Sequence, residues 1–299
     1  MMATTSTLTD KDAPAKRHRR LTLTGEGRRA GVPSYAFLTL VLLISVFPIL
    51  YAIQIASVTT DNMYGSESFG KAQISILIDN LKNAFSQMNY PHALVGSLIV
   101  STICAVSVVF FSMLAGYSFA KLRFRGSGPL FGFLIATMAI PTQLSVVPLY
   151  ILMTRLHLFG KLGAVALPGL VTAFGVFWMK QYMEQALPYE LIEAAQVDGC
   201  SMISTFLHVA VPAARPVAAM LFVFTFVAQW TQYYWPFLIL GSNNQAMLTV
   251  AMSTLRAGHF TDYTIIMAGV VLIILPLILL FFVAGKQLVA GIMAGAVKG

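Results

Sequence analysis

Charge is what this chain has least of. Asp, Glu, Lys and Arg make up only 10% of the 299 residues, while hydrophobic residues make up 58%; a globular domain carries about a quarter charged residues. This balance points to a membrane rather than to one or two soluble domains. The formal charge of +8 does not imply nucleic acid, because the basic residues sit in a tail and loops with no aromatic or Gly-rich RNA-binding pattern among them. There are two cysteines, Cys104 in an oily run and Cys200 in a polar one, so a disulfide framework is not expected.

Six apolar runs have the length of roughly 20 residues that a bilayer-crossing helix needs: about 34–58, 93–119, 129–152, 163–179, 216–240 and 263–284. Their length and lack of alternation exclude lipid-facing barrel strands. The first run is too long for a signal-peptide core and no A-x-A site follows it, so it reads as a retained span. None of the six contains Asp, Glu, Lys, Arg or His. Proton-coupled carriers place ionisable groups within the membrane, and here there is nothing to titrate. A sodium-coupled carrier could still use backbone carbonyls at broken helices.

The same shortage disposes of two near-motifs. The stretch 116–120, GYSFA, approaches a nucleophile elbow, but Ala120 replaces the second glycine, and no His or acid lies in a span to activate Ser118. The stretch 65–72, GSESFGKA, has the Gly and Lys spacing of a phosphate loop, but Ala72 stands where a hydroxyl would hold magnesium and no strand leads into it. No catalytic residue, bound cofactor or metal is therefore expected in this chain.

Residues 1–33 hold seven basic residues and few large apolar groups, the composition of a disordered tail preceding a six-span domain over 34–299. Basic residues are retained on the cytoplasmic side. With the tail inside, fourteen of the nineteen Lys and Arg fall on inner segments. Both termini, and the connection between the fourth and fifth spans, are thus expected in the cytoplasm.

That connection, residues 184–215, contains ELIEAAQVDGCS. Pro188 suits a first helical turn, and Glu190 and Glu193 favour the positive end of the helix dipole. Leu191, Ala194 and Ala195 are spaced to share a face. Gly199 can take the left-handed conformation that ends a helix, and Ser201 reads as the N-cap of a second short helix over 202–209. Pro212 and Pro216 are expected to punctuate the return to the membrane. An acidic helix with adjacent alanines suits docking to a basic partner, whereas helices lying on lipid favour Lys and Arg.

These residues resemble the EAA loop of binding-protein-dependent ABC importer permeases: Glu193, Ala194, Ala195 and Gly199, with Asp198 between and Pro212 downstream. The stretches AGYSFAKLRFRG and PTQLSVVPLYILMTRL, with the terminal AGAVKG, extend the resemblance over about 90–299, in particular to the second permease of maltose-type carbohydrate importers. One departure is Thr231 after Trp230, where many relatives have Asn. The resemblance implies an all-α type I transmembrane domain of six helices in a bacterial plasma membrane. It also implies a second permease, two cytosolic ATPase subunits carrying ATP and Mg, and an extracytoplasmic solute-binding protein. In such a family the EAA loop is the coupling helix: Glu193 would pair with a basic group in the ATPase cleft and the alanines would pack inside it.

For a substrate path the sequence offers Gln143, between Pro141 and Pro148, and Gln229, Trp230, Gln232 and Tyr233 at the end of the fifth run. A kinked helix and an interfacial aromatic belt are the plainer accounts of the two segments. By resemblance, the loop opening with GSNNQ reaches the binding protein and the C-terminal tail with Lys298 contacts the ATPase pair; a simple connector and a frayed end are the alternatives. A sodium-coupled carrier, a permease for a solute such as glycerol phosphate and a non-transporting membrane docking protein are the competing functions.

Overall fold

The computed structural model describes residues 31–63, 72–241, 246–256 and 261–296, with backbone alone for residue 284 and residues 286–296. The basic tail before Gly31, the phosphate-loop-like spacing at 65–71, the polar loop tip at 242–245 and Lys298 lie outside the described residues. Backbone packing divides the chain into two units, residues 1–47 and 48–299. The first unit's described part is the start of helix α1 (Val32–Ala56), whose apolar side chains are almost all exposed. Exposure of this kind has no hydrophobic cost in lipid.

Every regular element among the second unit's described residues is a helix. After α1 come α2 (Thr60–Met63), α3 (Ile74–Gln87), α4 (Tyr90–Lys121), α5 (Ser127–Met138), α6 (Val146–Arg155) and α7 (Leu162–Ala166). Then follow α8 (Ala173–Ala186), α9 (Tyr189–Val197), α10 (Met202–Thr205), α11 (Val211–Thr231), α12 (Tyr234–Leu240), α13 (Leu248–Ala251) and α14 (Tyr263–Ala296). Among the described residues, four helices are long and apolar enough to cross a bilayer unbroken: α1, α4, Met202–Thr231 and the first part of α14. Two bent pairs, Ser127–Met138 with Thr142–Arg155 and Leu162–Gly169 with Ala173–Ala186, bring the total to six when each counts as one span. Six is the number of spans expected from the sequence.

Two of the expected spans are not straight, and proline explains where they turn. The third turns through 90° rather than kinking gently. Pro141 is extended (ψ 127°) and a 3-10 turn, Thr142–Ser145, follows it, whereas Pro148 falls in the first turn of α6, where proline is tolerated. The fifth, expected as one helix over 216–240, breaks at Gln232 and Tyr233. Pro236 accounts for this, since its ring opposes the carbonyl four residues back, that of Gln232. In the other direction, Pro212 and Pro216 do not interrupt the chain's return. Helix Met202–Thr231 runs through both by widening into a π turn at Phe206–Ala210, where the Val211 N–H bonds to the Phe206 carbonyl.

Carbonyls that prolines release need new donors, because lipid supplies none. Three of them have side-chain partners from distant helices. Pro168 frees the Ala164 carbonyl, which accepts from Trp235 Nε1 at 3.2 Å. Pro236 frees Gln232, which accepts from Thr249 Oγ1 at 2.8 Å. Pro276 frees Leu272, which accepts from the Tyr90 hydroxyl at 3.0 Å. Helix α4 lies at the centre, packed along both α8 and α11. The near-elbow serine, Ser118, donates back to the Leu114 carbonyl at 2.8 Å on that helix.

Helix α3 falls in a segment expected to be an outer loop. Its Leu77 and Leu81 pack on the core while Asp79 and Lys82 are exposed. The segment after the 242–245 tip is no simple connector either: Met247, Leu248, Val250 and Ala251 are fully buried, and Ser97 Oγ accepts from the Leu248 N–H at 2.9 Å.

Candidate functional site

Two constellations stand at opposite ends of α11. The first is α9. Pro188 precedes it as the N-cap, one position earlier than expected, and Glu190 lies in its first turn. Its end is a Schellman cap: the Gly199 N–H bonds to Gln196 O at 3.0 Å and the Cys200 N–H to Ala195 O at 2.9 Å. Gly199 has φ +80°, so glycine is needed there. Asp198 is the C-cap, exposed. Ser201 caps the next turn by accepting from the Ser204 N–H at 3.2 Å. The exposed Pro212 begins α11, after the π turn.

Helical phase decides which α9 residues a partner could touch. Ile192 is buried in a cluster with Tyr117 and Ala120 of α4, Met183 of α8 and Ala210 beside α11, and Ala195, three residues on, is buried as well. Of the two adjacent alanines, only Ala194 is exposed. Ala195 is 8% exposed and seats the helix on its own body. Glu190, Glu193, Ala194 and Val197 form the opposite face, at i, i+3, i+4 and i+7. Val197 is 87% exposed and Leu191, at the margin, 50%.

The second constellation is a cleft of about 490 Å³ near the far end of α11. From Val211 to Gln229 is about 27 Å at 1.5 Å per residue. Gln143, Gln229, Gln232 and Tyr233 all line it. Gln143 comes from the bend after Pro141; the break between α7 and α8 adds Pro168, Gly169 and Thr172; Gln229, Gln232 and Tyr233 come from the α11–α12 break. At the second, Gly169 leaves room for an amide, since a Cβ there would lie 2.8 Å from Gln229 Nε2. Thr142, Ser145 and Thr172 add hydroxyls to the lining, and among its described residues there is no Asp, Glu, Lys, Arg or His.

Trp230 is not in the cleft. It is fully buried, stacks on Phe226 at 5.6 Å, and donates from Nε1 to the Ile273 carbonyl at 3.3 Å. Sequence spacing could have indicated this, because Trp230 lies one residue, about 100° of helix, from Gln229. Thr231 turns its hydroxyl back to Val227 O at 2.9 Å. The aromatic-belt reading fails for Trp235, which is buried and partners Ala164. Tyr233 and Tyr234 are exposed.

Residues 108–293 match the protein family described as binding-protein-dependent transport system inner membrane component. The lactose transport system permease protein LacG of Rhizobium radiobacter is 31% identical over 272 residues, covering 91% of this chain and 97% of that one. The arabinooligosaccharides transport system permease protein AraQ of Halalkalibacterium halodurans is 30% identical over 259 residues, 86% of this chain and 92% of the relative. The melibiose/raffinose/stachyose import permease protein MelC of Bacillus subtilis is 27% identical over 252 residues, 83% and 90%. A solved bacterial ABC transporter involved in import of the acidic polysaccharide alginate has a chain of the same fold: TM-score 0.71 at 19% identity, over 86% of this chain and 95% of that chain.

Proposed function

Because this chain belongs to the family of binding-protein-dependent transport system inner membrane components, we propose that it imports a neutral sugar or oligosaccharide as one permease subunit of an ATP-driven assembly. The partners are a second permease, two cytosolic ATPase subunits and an extracytoplasmic binding protein. ATP and Mg act on the ATPases, and this chain is not itself catalytic. Both termini and α9 face the cytoplasm, in keeping with the placement of Lys and Arg.

The observation that carries the reading is the two-faced α9. One side is locked into the α4–α8–α11 cluster, while the other leaves Val197 uncovered between Glu190 and Glu193. An apolar residue flanked by acids suits a basic-rimmed apolar socket. Closure of the ATPase pair pushes α9, and its rigid seat passes the motion to α11 and onward to Gln229 and Gln232. The substrate class is supported by the names of the relatives and by the cleft. Amides and hydroxyls hydrogen-bond a neutral glycan, but no described lining group would neutralise a phosphate.

Proteoliposomes holding the complete assembly, loaded with Mg and ATP and supplied with the binding protein outside, provide the test, with radiolabelled lactose, raffinose, an arabinooligosaccharide and glycerol phosphate. ATP-dependent uptake of a neutral sugar and none of glycerol phosphate is expected. Glu193→Lys should abolish that uptake while membrane insertion is unchanged. Uphill uptake by this chain alone on a sodium gradient, or ATP-driven uptake of glycerol phosphate, would overturn the reading.

A further inference from the structure

We propose that Tyr189 is a positioning residue that ties the docking helix to α4, so that α4 travels with α9 when the ATPases close. The inference rests on the docking role of α9 given above and adds a third attachment to the two made by the chain itself. Covalently, α9 continues from α8 through Leu187 and Pro188, and leads to α11 through Gly199 and α10. Neither route reaches α4.

Tyr189 does so directly. Its hydroxyl donates to the Ala120 carbonyl at 3.1 Å, in the last turn of α4. The next α4 residue, Lys121, places its ammonium 4.5 Å from the centre of the Tyr189 ring. The same ammonium donates to the Glu184 carbonyl on α8 at 3.4 Å. One lysine thus holds the aromatic ring from α9 and a backbone carbonyl from α8 at the foot of α4. Lys121 is largely buried, unlike Arg123 and Arg125 beyond it, and a buried ammonium needs such partners. The Ala120 carbonyl lies at the helix end, where intrahelical donors run out, so an outside hydroxyl meets a real requirement. The ring is half-exposed and stands at the margin of α9, off the Glu190–Val197 face. It can hold α4 without occupying the docking surface.

The consequence is mechanical. Without the tether, a push on α9 would reach α4 only through side-chain packing that can slide. With it, α4, α8 and α11 move as one body, and α4 carries Gly96 and Ser97, against which the far-end segment 246–248 is seated.

The test uses the complete assembly in nanodiscs, with Cys104→Ala and Cys200→Ser and spin labels at Gln196→Cys on α9 and Arg123→Cys beyond α4. Distances are measured without nucleotide and after trapping with Mg, ATP and vanadate. The expected result is one narrow distance, the same in both states. Tyr189→Ala should broaden that distance and shift it on trapping, while the ATPases still co-purify. Tyr189→Phe keeps the ring under Lys121 and should restore most of the narrowness. An unaltered protein whose distance changes on trapping overturns the proposal, as does a Tyr189→Ala protein that keeps the narrow distance. Loss of ATPase co-purification in Tyr189→Ala also overturns it, by placing Tyr189 in the docking face. Failure of the docking role itself reads differently: the ATPases would remain bound to the Glu193→Lys protein.

Discussion

The two ends of α11 solve opposite problems. At the α9 end, helices are unbroken or tightly capped, and the fixed charges are used: Lys180 pairs with Glu184 at 2.7 Å, and Lys121 joins α4, α8 and α9. At the cleft end three helices are interrupted, and the described lining carries amides and hydroxyls but no formal charge. Rigidity and charge suit a surface that receives force from another protein. Interrupted helices and neutral hydrogen-bonding groups suit a surface that must bind a solute and release it. The difference lies within one chain, separated by little more than the length of one helix.

Substitutions at the two ends should therefore fail differently. The largest effect is expected from Ala194→Trp, in the middle of the exposed α9 face. A bulky ring there should prevent seating, reducing ATPase co-purification and uptake by about tenfold or more, the scale of losing a central interface contact. Gln229→Leu should spare ATPase binding altogether and reduce uptake by roughly tenfold, the value of about one hydrogen bond to substrate at 1.4 kcal/mol. If Gln229→Leu instead released the ATPases, the two ends would not be separable. The smallest effect concerns a loop. Asp262 caps α14, accepting from the Thr264 N–H at 2.9 Å, and binds Thr60 Oγ1 at 3.0 Å. Burial pushes its carboxyl up, but the bonds from Thr264, Thr60 and the Ile265 backbone outweigh this and hold its pKa below the ordinary carboxylate value. Asp262→Ala should lower stability by about 1 kcal/mol. In a thermal melt that difference should be complete at neutral pH and above the ordinary carboxylate pKa. It should shrink as acid carries the pH down through the lowered value.

Much of this was legible in residue order. Span positions followed from run length, and the α9 boundaries from Pro188, Gly199 and Ser201, because caps are local chemistry. Gln143, Gln229, Gln232 and Tyr233 were legible as path candidates, and they converge on one cleft. Four things were not read. The facing of Ala195 depends on what packs behind α9, although the three-residue interval from Ile192 hinted at it. Helix α3 carried a usable signal, Ile74, Leu77, Ile78 and Leu81 at helical spacing, which its short length and polar flanks concealed. The bend at Pro141 and the break before Pro236 were underestimated, since proline shows where a helix loses a bond but not how far it will turn. Trp230 and Trp235 were read from residue type, when their indoles are committed to carbonyls on other helices.

Those committed donors bear on how the polypeptide is made. The Ala164 carbonyl emerges from the ribosome some seventy residues before Trp235, the side chain that will satisfy it. The Tyr90 hydroxyl waits longer still for Leu272. During synthesis each early segment is left with a polar group that lipid cannot solvate, so it gains from lingering beside the translocon or a water-filled vestibule until its later counterpart arrives.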